Sequence, residues 1–430
     1  MLSRLAVTAM LTLGMTISPE PLDAVAEGYV KLVLAVGRHA PDYVDAYFGP
    51  PEWRIECERA GPRPLGELAV EAERLASAAE AVRVEAGDRA RSMRREFLAG
   101  QLAALRAYLQ ILRGARLSFD EEARALYGVT PPPRDLHAFE AIAAHIERLI
   151  PGEGPLPARY QKWKERVAIP KERIEPVMRA AIEEVRRRTR AHVELPRDER
   201  FTLALVTGKP WGAYNWYRGR AESLIEVNTD LPSYVFNAIS LLAHEGYPGH
   251  HVFNVLKEAT LVLGRHEIEH TVYPLNSPIS LVAEGSAEAG VDLVFGEADR
   301  LKFEREVLYP LAGFGPAEVP RANEIRNALK ELRIARPELA RRYLDGGMSA
   351  AEVKAWLITF GLATPEEAQK AVEFIDAYRS YVVNYSYGEE LVEGWLDARA
   401  GDDKAARWAA FVDLLASPRL PSSLLARPAR

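Results

Sequence analysis

Apolar residues recur at three- and four-residue intervals, with charge between them, over residues 22–38, 64–84, 87–113 and 135–150. That spacing lays one apolar stripe along a helix, because residues three and four apart share a face. Each segment is therefore expected to be an amphipathic helix packed on its neighbours. Proline clusters at Gly49-Pro-Pro51, Pro131-Pro-Pro133 and Pro151–Pro157 mark the turns between them, since proline lacks an amide donor and cannot continue a helix. Another long helix is expected from Lys171 to Val193, ended by Glu194-Leu-Pro196. The helical period then lapses. Phe201-Thr-Leu-Ala-Leu-Val-Thr207, Ala213–Tyr217 and Ser223-Leu-Ile-Glu-Val-Asn228 are rich in β-formers, with Gly-Lys-Pro and Arg-Gly-Arg breaks between them. They predict a small three-stranded antiparallel sheet. Helical periodicity resumes near Ser233 and runs to the C-terminus, broken at Gly313–Pro320 and Gly346-Gly347. The expected fold class is mainly α, with one small antiparallel sheet, and no internal repeat or low-complexity segment interrupts it.

Composition bounds this picture. The 430 residues can bury a large core, and their length allows two or three domains. The 48% apolar and 27% charged content is the ordinary balance of a globular chain. A formal net charge of −6 gives no reason to expect nucleic acid or an anionic membrane as partner. The single cysteine, Cys57, excludes an internal disulfide. No run reaches the roughly 20 apolar residues of a spanning helix.

Arg4 followed by Leu-Ala-Val-Thr-Ala-Met-Leu-Thr-Leu-Gly14 has the shape of a short signal peptide, with Ala24-Val-Ala26 as a cleavage site. The other reading takes Met15 as the start. Export follows from the first and a cytoplasmic location from the second. Three regions are expected: a leader or extension over 1–18, an N-terminal helical region over 19–196, and a catalytic region over 197–430 that packs with it as one unit. The oligomeric state has no signature in the sequence.

Chemistry concentrates in one stretch. Five of the nine histidines fall between Ala243 and His270, which opens with His244-Glu245-Gly-Tyr-Pro-Gly-His250-His251. Histidine-Glu followed shortly by histidine is how a helix presents two zinc ligands and a general base. In the common form the two histidines stand at i and i+4 on one face. Here His250 is at i+6 and points roughly 120° away on an undisturbed helix, while His251 at i+7 shares the face but lies about 10 Å along the axis. Pro248-Gly249 offers a bulge or kink that would bring His250 back over His244. His250 is therefore the expected second ligand, with His251 as the alternative.

Ser280-Leu-Val-Ala-Glu284-Gly-Ser-Ala-Glu288 opens a second helix with acids at i and i+4, Glu284 standing thirty-four residues after His250. Such a pair is most often a solvated face. Beside the upstream motif, Glu284 completes a His2Glu set that leaves one position open for water or substrate. Glu288, one turn on, is placed to accept the other ring N–H of a ligating histidine. One Zn2+ per chain is expected, although nitrogen and oxygen donors also accept manganese, cobalt or nickel.

The pattern His-Glu-x-x-Pro-Gly-His-His followed by a helix bearing Glu284-Gly resembles the bacterial family known as domain of unknown function 885. That family is grouped with the zincin (gluzincin-like) metallopeptidases. The resemblance extends to Val44-Asp-Ala-Tyr-Phe-Gly-Pro-Pro-Glu-Trp53, Lys209-Pro-Trp-Gly-Ala-Tyr-Asn-Trp-Tyr217 and Asn228-Thr-Asp-Leu-Pro232, so it covers about residues 20 to 400. It implies a helical zincin-like fold with the small sheet next to the metal-binding helix. It also implies zinc on His244, His250 and Glu284, with Glu245 as base. Members of the family carry Trp after the Glu-Gly pair and Pro-Gly-Gln before a C-terminal Tyr, where this chain has Ser286 and Val383-Asn-Tyr385-Ser-Tyr387-Gly388.

Amide hydrolysis also needs a donor for the developing oxyanion. Tyr385 is the first candidate and Tyr387 the second, against the ordinary reading of both as core tyrosines. His266 and His270 stand at i and i+4 in the charged stretch Arg265-His-Glu-Ile-Glu-His270, where surface or cleft-rim positions are expected. His39, His137, His145 and His192 are isolated. The strand Ser223–Asn228 is expected at a sheet edge, where an extended peptide could pair with its main chain. Trp211, Tyr214, Trp216 and Tyr217 could line that cleft. Arg326, Arg333 and Arg379 are available to hold a free peptide terminus, and no spacing singles one out. The expected activity is hydrolysis of short peptides by zinc-activated water with Glu245 as general base. Two alternatives share the same residues: hydrolysis of non-peptide amides or esters, and a non-catalytic metal-binding helical scaffold.

Overall fold

The computed structural model describes residues 20–209 and 211–425. The leader reading of residues 1–18 lies outside the described residues, while Ala24–Ala26 sits inside the first helix. That helix, α1 (Pro21–Val36), packs with α2 (Leu65–Ala81) and α3 (Arg89–Leu112) around an apolar cluster that includes Leu22, Val33, Leu75 and Leu102. A larger core runs from Phe97 to Leu424, and α3 supplies both cores, Leu98 to one and Phe97 to the other. One helix thereby ties the N-terminal helices to the rest.

The long helix expected from Lys171 begins as a short 3-10 turn and continues as α4 (Ile174–Arg190). Two expected turns start helices instead. Pro51 opens Pro51–Ala60, and Pro157 stands in the first turn of Leu156–Arg166. The first turn has no intrahelical use for the amide that proline lacks, so proline there starts a helix as readily as it ends one.

The three expected strands form as β2 (Arg200–Val206), β3 (Ala213–Tyr217) and β4 (Glu222–Asn228), preceded by β1 (Val44–Tyr47) and followed by β5 (Val272–Pro274). β1 and β5 make a separate antiparallel pair that the sequence pattern did not reveal, because both are too short to show alternation. In the three-stranded sheet the order is β2-β4-β3. β3 and β4 are antiparallel as expected, but β2 joins β4 in parallel, from Arg200 opposite Glu222 to Val206 opposite Asn228. β4 is therefore the central strand, which corrects its expected place at an edge. Burial decides the order: Ser223, Ile225 and Val227 alternate into the core at 0–1% exposure, whereas β2 alternates with exposed positions. The free edge toward the histidine helices belongs to β3.

Three more helices frame the site. α5 (Val235–Glu245) and α6 (His250–Lys257) are consecutive, and α7 (Pro278–Val294) is buried along nearly its whole length. A helix apolar all round must lie inside the core. α8 (Val319–Arg333), α9 (Arg336–Leu344) and α10 (Ser386–Ala400) complete the surround. Among the described residues no helix is long and apolar enough to cross a membrane.

Candidate metal centre

The histidine motif is not one kinked helix. α5 ends at Glu245, the chain reverses through Gly246-Tyr-Pro-Gly249 with a cis Tyr247–Pro248 peptide, and α6 starts at His250. The reversal is tight enough that a Cβ on Gly249 would lie 1.9 Å from the His244 carbonyl oxygen. Only glycine allows the second helix to begin so close to the end of the first. The consequence is that His250 returns to His244, with ring centroids 4.6 Å apart and planes at 89°.

α7 delivers Glu284 to the same point. Its Oε2 lies 3.3 Å from His244 Nε2 and 3.6 Å from His250 Nε2. The donor atoms of His244, His250 and Glu284 all fall within 4.8 Å of one another. Tyr381 donates a 3.0 Å hydrogen bond to the other carboxylate oxygen, Oε1, and so fixes the orientation of the group. Oε2 is buried and has no hydrogen-bond partner. An orphaned carboxylate oxygen facing two imidazole nitrogens suits a borderline-soft cation, and two nitrogens with one oxygen is a donor set that zinc accepts. The electrostatics agree. Burial works against charge on His244, but the nearby Glu284 carboxylate and the charges of Glu288 and Glu245 outweigh it and lift its pKa to about 9. The pocket favours a positive charge.

Glu245 is 7% exposed, and burial raises its carboxyl above the ordinary range. Glu288 Oε1 stands 3.7 Å from His244 Nδ1, beyond direct hydrogen-bond length, and its other oxygen is 3.4 Å from Arg333. Tyr385 is in the turn before α10, and burial together with the charges of Glu284, Glu245 and Glu288 holds its hydroxyl well protonated. Tyr387 instead faces Glu390 and Arg134, away from the centre. The approach of Tyr385 to Glu284 depends on two glycines, because a Cβ on Gly285 would meet the Gly388 backbone at 2.4 Å.

His251 is turned the other way. It has no solvent exposure, and its ring nitrogens meet Ser223 Oγ at 2.7 Å and Glu199 Oε1 at 2.9 Å. Tyr247 and Arg186 also hold Glu199, and Ser223 joins Asn215, whose amide donates to the Glu245 carbonyl at 2.6 Å. His251 thus anchors the reversal to the sheet and to α4. Of the other expected residues, Trp211, Tyr214 and Trp216 pack on one another along β3, and the Tyr217 hydroxyl donates to Glu258. His266 is exposed as expected, but His270 is 3% exposed against Phe97 in a cluster with Glu267 and Glu269. The charged stretch folds inward there because Arg94 from α3 pairs with Glu269.

No family model and no curated protein matches this chain. Solved structures do. A candidate lipoprotein from Colwellia psychrerythraea overlaps 83% of this chain at a TM-score of 0.53 and 14% identity. The chain spans 65% of that protein's length, and the likeness is one of fold. A carboxypeptidase from Pyrococcus furiosus overlaps 95% of both chains at a TM-score of 0.45 and 13% identity.

Two residues at the centre carried no signal of their own in the sequence. Asp45, on β1, accepts a hydrogen bond from the Tyr214 hydroxyl and faces His250, Glu284 and Glu245, and burial raises its carboxyl to about 6. Tyr381 stands four residues before Tyr385 and could have been found only by treating every tyrosine of that run as a site candidate.

Proposed function

We propose that this chain is a zinc-dependent hydrolase of peptide bonds, acting on short peptides. The observation that carries the reading is the convergence of His244, His250 and the orphaned Glu284 Oε2 within 4.8 Å, beside a buried Glu245. The resemblance to the domain of unknown function 885 family supports the same set of residues. Zinc held by these three side chains would polarise a carbonyl and acidify water. Glu245, its carboxyl raised by burial, takes the proton of the attacking water and returns it to the leaving amine. Tyr385, kept protonated by the acids around it, donates to the oxyanion. Tyr381 steadies Glu284, and Glu288 stands behind His244. The free edge of β3 offers main-chain groups to an extended peptide.

Elemental analysis of wild type beside His244→Ala and His250→Ala tests the centre, with about one zinc per chain expected in wild type and little in either variant. Glu245→Gln should keep the metal and lose about 10²–10⁴-fold in turnover on a peptide library hit. Wild-type protein without stoichiometric metal after zinc addition would sink the reading. Activity of Glu245→Gln within a few-fold of wild type would remove Glu245 as base. A parallel panel of esters and non-peptide amides separates peptide hydrolysis from the related reaction classes.

A further inference from the structure

The three arginines that the sequence offered for a peptide terminus are all engaged. Arg326 meets Glu304 at 3.3 Å, Arg379 meets Glu122 at 2.6 Å and Arg333 meets Glu288 at 3.4 Å. That leaves the edge of β3 as the hold on a peptide. In an antiparallel pair, alternate residues exchange main-chain hydrogen bonds with the partner strand, and the residues between them point theirs away. The Asn228 amide donates to the Gly212 carbonyl at 2.8 Å and the Arg218 amide to the Glu222 carbonyl at 2.9 Å, in the register that sets Asn215 opposite Ile225. Even-numbered residues of β3 accordingly bond to β4, while Ala213, Asn215 and Tyr217 turn their main-chain groups to the free edge. The Asn215 side chain reaches the metal helix at the same time. Its Nδ2 donates to the main-chain carbonyl of Glu245 at 2.6 Å. Glu245 is the last residue of α5, where a carbonyl has no donor from its own helix. Because a carbonyl can only accept, this bond fixes the amide with Oδ1 on the other side. There Ser223 of β4, fully buried, donates to Oδ1 at 3.1 Å, and its Oγ lies 2.7 Å from His251 Nδ1 on α6. One half-buried amide is thus held at both ends, between the sheet and the residue that carries the base.

We infer that Asn215 is a positioning residue for Glu245, and that its main chain registers an extended peptide against that base. A general base must stand within hydrogen-bond reach of the water it deprotonates. Glu245 sits at the end of a helix, the part that frays first. The Asn215 side chain supplies the donor that the helix end lacks, and so stops fraying at the residue that does the chemistry. The amide and carbonyl of the same residue stand free for a substrate strand. Substrate binding and base alignment therefore meet in one residue of one strand. A peptide paired along β3 completes the bonding of an edge strand and stiffens its grip on Glu245.

This inference rests on the peptidase reading for the role of Glu245, so its test uses exchange as well as turnover. Zinc-loaded wild type, Asn215→Ala, Glu245→Gln and the double variant are compared on one extended peptide, with kcat and KM taken separately and zinc content and thermal melts alongside. Asn215→Ala should keep about one zinc per chain and lose about 10–100-fold in kcat, because misplacing a catalytic group by about 1 Å costs up to about 10²-fold. In the Glu245→Gln background the same substitution should cost less than about twofold, since no base is left to position. Methylating the substrate's peptide nitrogens one at a time should raise KM about tenfold at alternate positions only, since every second amide pairs with a neighbouring strand. A kcat for Asn215→Ala within about twofold of wild type, or the same fold-loss in both backgrounds, would overturn the positioning role. A uniform response to methylation would overturn the registration. If wild type hydrolyses no peptide, the peptidase reading fails by itself, and amide hydrogen exchange over Gly246–Gly249 decides the clamp. Faster exchange there in Asn215→Ala supports the clamp, and unchanged exchange overturns it.

Discussion

His250 and His251 are chemically identical neighbours at the start of α6, and their surroundings assign them opposite work. His250 shares a pocket with His244 and Glu284, whereas His251 satisfies both ring nitrogens on Ser223 and Glu199 with no exposure at all. Removing a buried imidazole leaves its partners unpaired and opens a void. His251→Ala should therefore lower stability by about 3 kcal/mol in chemical denaturation while metal content stays near one per chain. His250→Ala should do the reverse, with metal lost and the metal-free fold little changed. The motif was legible as chemistry because of its residue types, but spacing alone could not choose between the two histidines. Their assignment depends on where the chain reverses, and that depends on the room available beside the His244 carbonyl.

At the scale of elements, the site is held by contacts between backbones. Gly285 on α7 and Gly388 on α10 touch directly, and the atoms that a Cβ would meet belong to the main chain, which cannot rotate away as a side chain can. Gly285→Ala should cost about 2–3 kcal/mol of stability through overpacking. It should also reduce turnover beyond any loss of folded protein, because separating the two helices moves Tyr385 from Glu284. Gly296→Ala is the matching control, since nothing lies within 4 Å of its built Cβ and its φ of −67° suits any residue. A thermal melt and a kcat measured on the folded fraction distinguish these outcomes. The helices themselves were largely readable from the period of their apolar residues. The strands of the sheet were readable as strands, but their order was not, since alternation says which face is buried and nothing of which neighbour lies alongside.

At the scale of the whole molecule, Glu199 ties three parts together: α4 through Arg186 and Arg190, the reversal through Tyr247, and α6 through His251. Burial works to raise its carboxyl, but hydrogen bonds from His251 and Tyr247 and the charge of Arg186 prevail and hold it at about 2 against 4.5 for a free glutamate. A carboxylate with a depressed folded pKa contributes stability that is complete above its unfolded value. That contribution is lost as pH falls from about 4.5 toward 2, and it amounts to about 3 kcal/mol at most. Wild type should show this extra acid sensitivity in denaturation curves at stepped pH, and Glu199→Gln should start less stable at neutral pH and lose less on acidification. Equal slopes in the two proteins would show that Glu199 is not a linchpin of the fold.

The sequence by itself determined the mainly helical class, the positions of most long helices and strands, and the residue types of one metal-seeking motif. Those features follow from local periodicity and from the chemistry of imidazole and carboxylate, which need no knowledge of distant chain. The tertiary structure alone decided the parallel pairing of β2 with β4, the inward fold of His270, the roles open to His250 and His251, and the approach of Asp45 and Tyr381 to the centre. Each of these depends on which surfaces meet after collapse. Burial, steric room at glycine and the pairing of buried charges set those meetings, and none of the three is a property of a short stretch of sequence.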